Sequence, residues 1–205
     1  MSAATLDRPH VWRPGTTPAL LLLHGTGDDE HGLLGLGEHL APGAALLSPR
    51  GAVLEGSMPR FFRRLREGVF DEDDLRERVD ELAAFLAAAS ASYGLEPGSL
   101  VAVGFSNGAN TAAALLLQHP GVLAGAVLIA ATTPFAEPPA ADLTGRRVLV
   151  SGGEQDSMAP LPRTRLLVEQ LRERGADVAL HTHPGGHLLA PGHLPAMQEL
   201  VRSTG

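Results

Sequence analysis

Between residues 99 and 117 the chain passes from the apolar run Ser99-Leu100-Val101-Ala102-Val103, through Gly104-Phe105-Ser106-Asn107-Gly108, into Asn110-Thr111-Ala112-Ala113-Ala114-Leu115-Leu116-Leu117. A short continuous apolar run reads as a strand buried on both faces, and the Ala/Leu-rich stretch after it reads as a helix. A strand that turns abruptly into a helix is one half of a βα unit, and repeated units of this kind build a parallel sheet covered by helices. The corner itself demands small residues on either side of Ser106. Strand and helix approach closely there, and the serine backbone takes angles that residues with a Cβ avoid. Gly104 and Gly108 occupy those places.

The same alternation runs along the whole chain. Strands are expected at 19–23, 43–48, 99–105, 125–131, 146–151 and 177–183, and helices at 33–41, 74–93, 107–118, 160–174 and from about 192. Asp71 or Asp73 can cap the second helix, whose stripe Leu75, Val79, Leu82, Phe85 and Leu86 ends at Gly94. Gly175 follows its helix as a left-handed terminator should. His10-Val11-Trp12-Arg13 is an additional edge strand before Pro14. The expected architecture is one α/β domain over residues 1–205, with a mostly parallel sheet of about six or seven strands and helices on both faces. Pro134 to Pro139 reads as a surface loop.

A chain of 205 residues, 44% apolar and 19% charged, has an ordinary globular composition and enough material for a sizeable core. Its lack of cysteine excludes a disulfide framework, thiol catalysis and cysteine-ligated metals. Met1 to Arg13 is polar and holds no leader-like apolar stretch. The longest apolar run, Val122 to Ala131, falls short of the ~20 residues that cross a bilayer. A cytoplasmic protein with no membrane span is therefore expected. The net charge of −7 argues against a nucleic-acid partner. Arg60-Phe61-Phe62-Arg63-Arg64-Leu65-Arg66 is a local exception, but Asp71-Glu72-Asp73-Asp74 follows at once and is expected to answer its charge. The segment reads as structural or pocket-bordering, not as a platform for an anionic ligand.

In open α/β sheets ligands bind beyond the carboxyl ends of the strands, so the residues at those ends carry the chemistry. Strand 19–23 is followed by His24-Gly25-Thr26-Gly27-Asp28-Asp29, where two glycines let backbone N–H groups turn toward a common point. A tight turn without chemistry is the alternative; a phosphate loop would need a Gly-Lys-Ser/Thr that is missing. Strand 146–151 leads to Gly152-Gly153-Glu154-Gln155-Asp156, and strand 177–183 to Pro184-Gly185-Gly186-His187. A serine at a Gly-x-Ser-x-Gly corner becomes a nucleophile when an imidazole takes its proton and a carboxylate orients that imidazole. Ser106, Asp156 and His187, each just past a different strand, are the candidate triad.

Glu154 is an alternative acid, placed nearer its strand. His181 and His183 alternate on one strand face and with His187 resemble a metal-ligand set, but they lack a carboxylate partner pattern, and no metal is expected. His193 reads as a neighbour of the last helix, and His24 as a brace for the glycine loop. Three of the six phenylalanines, Phe61, Phe62 and Phe70, crowd one stretch and are expected, with Met58, to form an apolar pocket wall over the strand ends.

Taken together, Leu23 to Asp28, Ser48-Pro49-Arg50-Gly51, Met58 to Arg64, Glu67 to Asp71, Gly104 to Asn110 and Gly185-Gly186-His187 resemble the phospholipase/carboxylesterase branch of the α/β-hydrolases. Within that branch the similarity is to the hydroquinone-linked carboxylesterases. The resemblance implies an α/β-hydrolase fold with little or no lid. It implies Ser106 as nucleophile, Asp156 as orienting acid, His187 as general base, and an oxyanion hole from the N–H groups of Thr26 and Asn107. It further implies a small-molecule ester as partner, no cofactor, and compatibility with a homodimer; and because a hydrolase of 205 residues has little material for a lid, a short pocket favouring small acyl groups and aromatic alcohols is expected. Asp28 stands where the family often has glycine. A lysophospholipase or acyl-protein-thioesterase-like activity would use the same residues, and a hydrolase-like ligand-binding protein is the non-enzymatic alternative.

Overall fold

The computed structural model describes residue 6 and residues 8–204, so the polar segment Met1 to Arg13 lies in part outside the described residues. The chain opens with β1 (His10–Arg13), β2 (Thr16–Leu23), α1 (Leu34–Leu40) and β3 (Ala44–Pro49). Four very short strands follow: β4 (Val53–Glu55), β5 (Met58–Arg60), β6 (Arg64–Arg66) and β7 (Val69–Phe70). The remainder alternates α2 (Glu72–Tyr93), β8 (Leu100–Phe105), α3 (Asn107–Gln118), β9 (Leu123–Ile129), β10 (Arg147–Gly153), α4 (Leu161–Arg172), β11 (Asp177–His183) and α5 (Leu194–Thr204).

Seven strands form one sheet in the order β1-β3-β2-β8-β9-β10-β11, with β1 antiparallel to β3 and the other pairs parallel. Its strands are apolar without interruption because both faces are covered. Leu21, Leu23, Ala102, Leu128 and Val150 point into one cluster, which α2, α3 and α4 close with Leu82, Leu115 and Leu167. Leu20, Leu22, Val103, Val127 and Leu149 point the other way, against Leu34 of α1 and Met197 of α5. That is the period-two alternation of a pleated strand between two helix layers. The chain runs outward from β2 to β3 and then returns to place β8 on the other side of β2. The strand order therefore reverses between β2 and β8, where α/β sheets open a ligand crevice.

The capping residue of α2 is Asp71, which accepts from the Asp74 N–H, so the helix begins two residues earlier than the apolar stripe indicates. Gly94 ends it at φ 68°. The stretch 134–139 is a loop, at the surface from residue 136 onward but buried at Pro134 and Phe135. Phe135 at its start is fully buried, and the Arg76 guanidinium lies 4.3 Å from its ring.

Residues 53–70 form two antiparallel hairpins, β4–β5 and β6–β7, outside the main sheet. Their arginines are answered differently from expectation. Only Arg63 pairs with the acidic run, at Asp71 (3.2 Å) and Asp74 (3.5 Å). Arg60 reaches Glu55 at 3.2 Å, and Arg64 pairs with Glu55 at 2.8 Å and with Glu67.

Candidate active site

Ser106 sits at the corner between β8 and α3 with φ 53° and ψ −115°, a left-handed conformation that an L-residue adopts only under constraint. The constraint is visible on both sides. A Cβ on Gly104 would lie 2.7 Å from the Ala109 backbone, and one on Gly108 would lie 2.0 Å from the Leu23 carbonyl oxygen. The Ser106 N–H donates to Ile129 O at 2.9 Å, pinning the corner to β9.

Asp156 lies in the loop after β10 and is 4% exposed. Its Oδ1 accepts from the N–H groups of Met158 (2.9 Å) and Ala159 (2.8 Å), leaving Oδ2 to accept from His187 Nδ1 at 2.7 Å. With that proton on Nδ1, Nε2 is the acceptor, and it lies 2.8 Å from Ser106 Oγ. The two loops that carry Asp156 and His187 are bonded along their backbones: Glu154 N–H donates to His183 O (2.8 Å) and Gln155 N–H to Gly185 O (3.0 Å). A Cβ on Gly153 would meet Gly186 O at 2.3 Å, so only glycine lets these loops approach. Glu154, the alternative acid, accepts instead from Thr182 Oγ1 at 3.1 Å.

Thr26 and Asn107 line the same pocket as Ser106 and His187. Asn107 is the first residue of α3, so its N–H has no intrahelical acceptor and carries the positive end of the helix dipole. The side chain of Thr26 is held by Arg60, whose Nη1 donates to Thr26 Oγ1 at 2.8 Å. His24 braces the glycine loop. It is 1% exposed, its Nδ1 bonds Gly25 O at 2.6 Å, and its Nε2 accepts from the Gly51 N–H at 3.0 Å. Burial lowers the pKa of this imidazole, overriding the pull of Gly25 O and of Asp28, Asp29 and Glu30. Glu30 is in turn held below the usual carboxylate range by its hydrogen bonds from Arg50.

The expected aromatic wall is not where the Phe-rich stretch was placed. Phe61 and Phe62 are 2% and 0% exposed and belong to the core cluster under α2 and α3. Hydrophobic burial draws them inward, and Phe61 packs on His24 with ring centroids 4.7 Å apart. Met58 lies over Gly27 and is 42% exposed, outside the pocket. Of the four, Phe70 alone borders the pocket, together with Met158, Ala130, Asn110, Thr132, Arg60, Arg64 and Glu67. Thr132 carries no sequence signal beyond lying near a strand end. Ala130, like Ser106, has a positive φ, of 54°.

His193 sits in a short turn before α5, with Nδ1 2.8 Å from Ser151 Oγ and Nε2 3.2 Å from Thr182 O. Its ring lies 5.4 Å from His181 and 5.6 Å from His183, and burial lowers its pKa. Among the described residues no group of His, Asp and Glu has an arrangement that would hold a metal ion, and no helix is long and apolar enough to cross a membrane.

Comparison with known proteins places this geometry. The family model for phospholipase/carboxylesterase matches residues 13–204. The chain is 44% identical to MhqD of Bacillus subtilis strain 168 over 181 residues, covering 88% of this chain and 90% of that protein. It superposes on a Bacillus cereus carboxylesterase with a TM-score of 0.94 at 40% identity, covering 97% and 95% of the two chains. A structure of YahD with malic acid matches with a TM-score of 0.90 at 25% identity, covering 97% of this chain and all (100%) of that one. The seven-stranded, helix-flanked sheet is thus that of an α/β-hydrolase, and this chain belongs to the phospholipase/carboxylesterase family as a carboxylic ester hydrolase.

Proposed function

We propose that the chain hydrolyses small carboxylic esters through an acyl-enzyme formed on Ser106. The observation that carries this reading is the unbroken relay from Ser106 Oγ to His187 Nε2 (2.8 Å) and from His187 Nδ1 to Asp156 Oδ2 (2.7 Å). As Ser106 Oγ attacks the ester carbonyl, His187 Nε2 takes its proton and Asp156 stabilises the imidazolium that forms. The carbonyl oxygen becomes an oxyanion, and the N–H groups of Thr26 and Asn107 are the donors assigned to it. One such donor contributes about 3–4 kcal/mol to the barrier reduction elsewhere. The imidazolium then returns its proton to the leaving alkoxide. Water, deprotonated by His187, attacks the acyl carbonyl, and Ser106 leaves with the proton to regenerate the starting state. Every step uses protein groups and water.

The pocket supports a small substrate. Its cavity is only ≈ 30 Å³, about one water molecule's share of liquid volume. A space that small favours short acyl groups over the long chains of the lysophospholipase and acyl-protein-thioesterase readings. The aromatic-alcohol preference loses its support with Phe61 and Phe62 in the core. A purely ligand-binding role would make the intact relay superfluous.

The test is a nitrophenyl ester series from acetate to palmitate, with wild type and Ser106→Ala, alongside a fluorophosphonate probe. Acetate and butyrate should turn over fastest, and Ser106→Ala should lose both labelling and about 10⁴-fold or more of the rate. Faster palmitate hydrolysis would overturn the small-substrate reading; labelling that survives in Ser106→Ala would overturn the nucleophile.

A further inference from the structure

Two residues that line the pocket beside Ser106 carry buried polar atoms without a partner. Asn107 and Thr132 are each 2% exposed, yet Asn107 Nδ2 and Thr132 Oγ1 have no hydrogen-bond partner among the described residues. The orientation of the Asn107 amide follows from its other end, because Oδ1 accepts from the Phe61 N–H at 2.8 Å. Nδ2 is therefore the unengaged donor. A buried donor left unpaired is costly, so two of them on residues lining one small pocket point to a ligand that completes them.

Two arginines line the same pocket. Arg60 is 3% exposed and commits Nε to Phe62 O (3.1 Å) and Nη1 to Thr26 Oγ1 (2.8 Å) and Glu55 (3.2 Å). Arg64 is held by Glu55 through Nε and Nη2, and its Nη1 donates to Glu67. Glu67 lies between β6 and β7, its side chain is 58% exposed, and it borders the pocket. An exposed carboxylate thus already rests on the pocket's arginine, in a contact weak enough to exchange. A guanidinium recognises any planar carboxylate in the same way.

On the footing of the serine-esterase reading, we propose that the pocket selects small esters carrying a free carboxylate, which replaces Glu67 on Arg64 and draws on the Asn107 Nδ2 and Thr132 Oγ1 donors. The carboxylate can belong to the acid or to the alcohol portion of the ester, and the experiment separates the two.

The kcat/KM of monomethyl succinate is compared with that of its neutral counterpart methyl butyrate for the acid side, and acetoxyacetate with propyl acetate for the alcohol side. In at least one arm the charged ester should be favoured about tenfold or more, the size of one charge-assisted hydrogen bond. Arg64→Gln should bring that ratio to about one. Glu67→Gln, which removes the internal competitor, should raise it about threefold, the scale of an exposed ion pair. Each ratio is taken within one protein, so a general loss of activity does not affect it. Succinate should inhibit the wild type competitively and butyrate about tenfold more weakly, a measurement that needs no variant to fold.

A ratio of one or less in both arms, a ratio unmoved by Arg64→Gln, or equal inhibition by succinate and butyrate would overturn the inference. Normal turnover of methyl butyrate in those cases would leave the esterase reading standing. No turnover of any ester, with no fluorophosphonate labelling of Ser106, would overturn both.

Discussion

The β8–α3 corner and the hairpins of residues 53–70 border one pocket, but different forces hold them. At the corner the backbone does the holding: Gly104 and Gly108 leave no room for a Cβ, and the Ser106 N–H is tied to Ile129 O. The hairpins have two or three residues per strand, too few to be stable alone. Side chains anchor them instead. Phe61 and Phe62 sink into the core, Arg64 gathers Glu55 and Glu67, and Arg163 of α4 reaches Gly68 O. The contrast assigns the two regions different duties. The proposed nucleophile sits where the main chain permits one arrangement, while the proposed ligand contacts are side chains that can be exchanged.

The comparison can be broken most sharply at its two extremes. Ser106→Ala should remove about 10⁴-fold or more of the esterase rate while the melting temperature stays within about 2 °C of wild type. A large drop in melting temperature would mean that the corner depends on the serine side chain. Gly108→Val should be destabilised by about 5 kcal/mol or more, because its Cβ would meet the Leu23 carbonyl, a backbone atom that cannot yield. Denaturant unfolding of that variant near wild-type stability would refute the account of the corner.

On the hairpin side, Phe62→Ala should cost about 3–5 kcal/mol, since the ring is fully buried. A loss below about 1 kcal/mol would show that the ring is not an anchor. Leu65, 70% exposed between Arg64 and Arg66, should tolerate Leu65→Ser within about 0.5 kcal/mol.

His24 ties the loop after β2 to Gly51 and packs on Phe61 of the hairpin segment, which makes that anchorage sensitive to pH. Its folded pKa lies below the ordinary 6.5 because burial disfavours the cation. Between those two values the unfolded chain holds more protons than the folded one, so stability rises with pH in that window. The stabilisation is complete above about pH 6.5 and is lost as pH falls toward the folded value. His193, lowered for the same reason, adds to the same slope. Thermal melts from pH 7.5 to 5.5 should fall in wild type and fall less in His24→Gln. Equal slopes would remove His24 from this account.

Much of this was readable along the chain. The alternation of apolar runs with helical stripes anticipated the sheet, because buried strands need apolar residues on both faces. The glycines around Ser106 anticipated the corner, because only close backbone approach requires them. The hairpins were not readable. Strands as short as Val69–Phe70 offer no period to detect, and scarce phenylalanines say nothing about which way their rings turn. Phe61 and Phe62 therefore went to the core instead of the pocket, and Phe135 entered the core from a Pro-rich stretch.

From its sequence alone this protein has the order of its strands and helices, its tight corners and the strand ends at which Ser106, Asp156 and His187 stand, because those depend on neighbours within a few positions. Only the folded chain decided that Arg60 would be buried against Thr26, that Glu67 would rest on Arg64 beside the pocket, and that Asn107 and Thr132 would be left with unengaged atoms. Such outcomes depend on which distant segments meet and how much water they exclude, and no local window of residues contains that information.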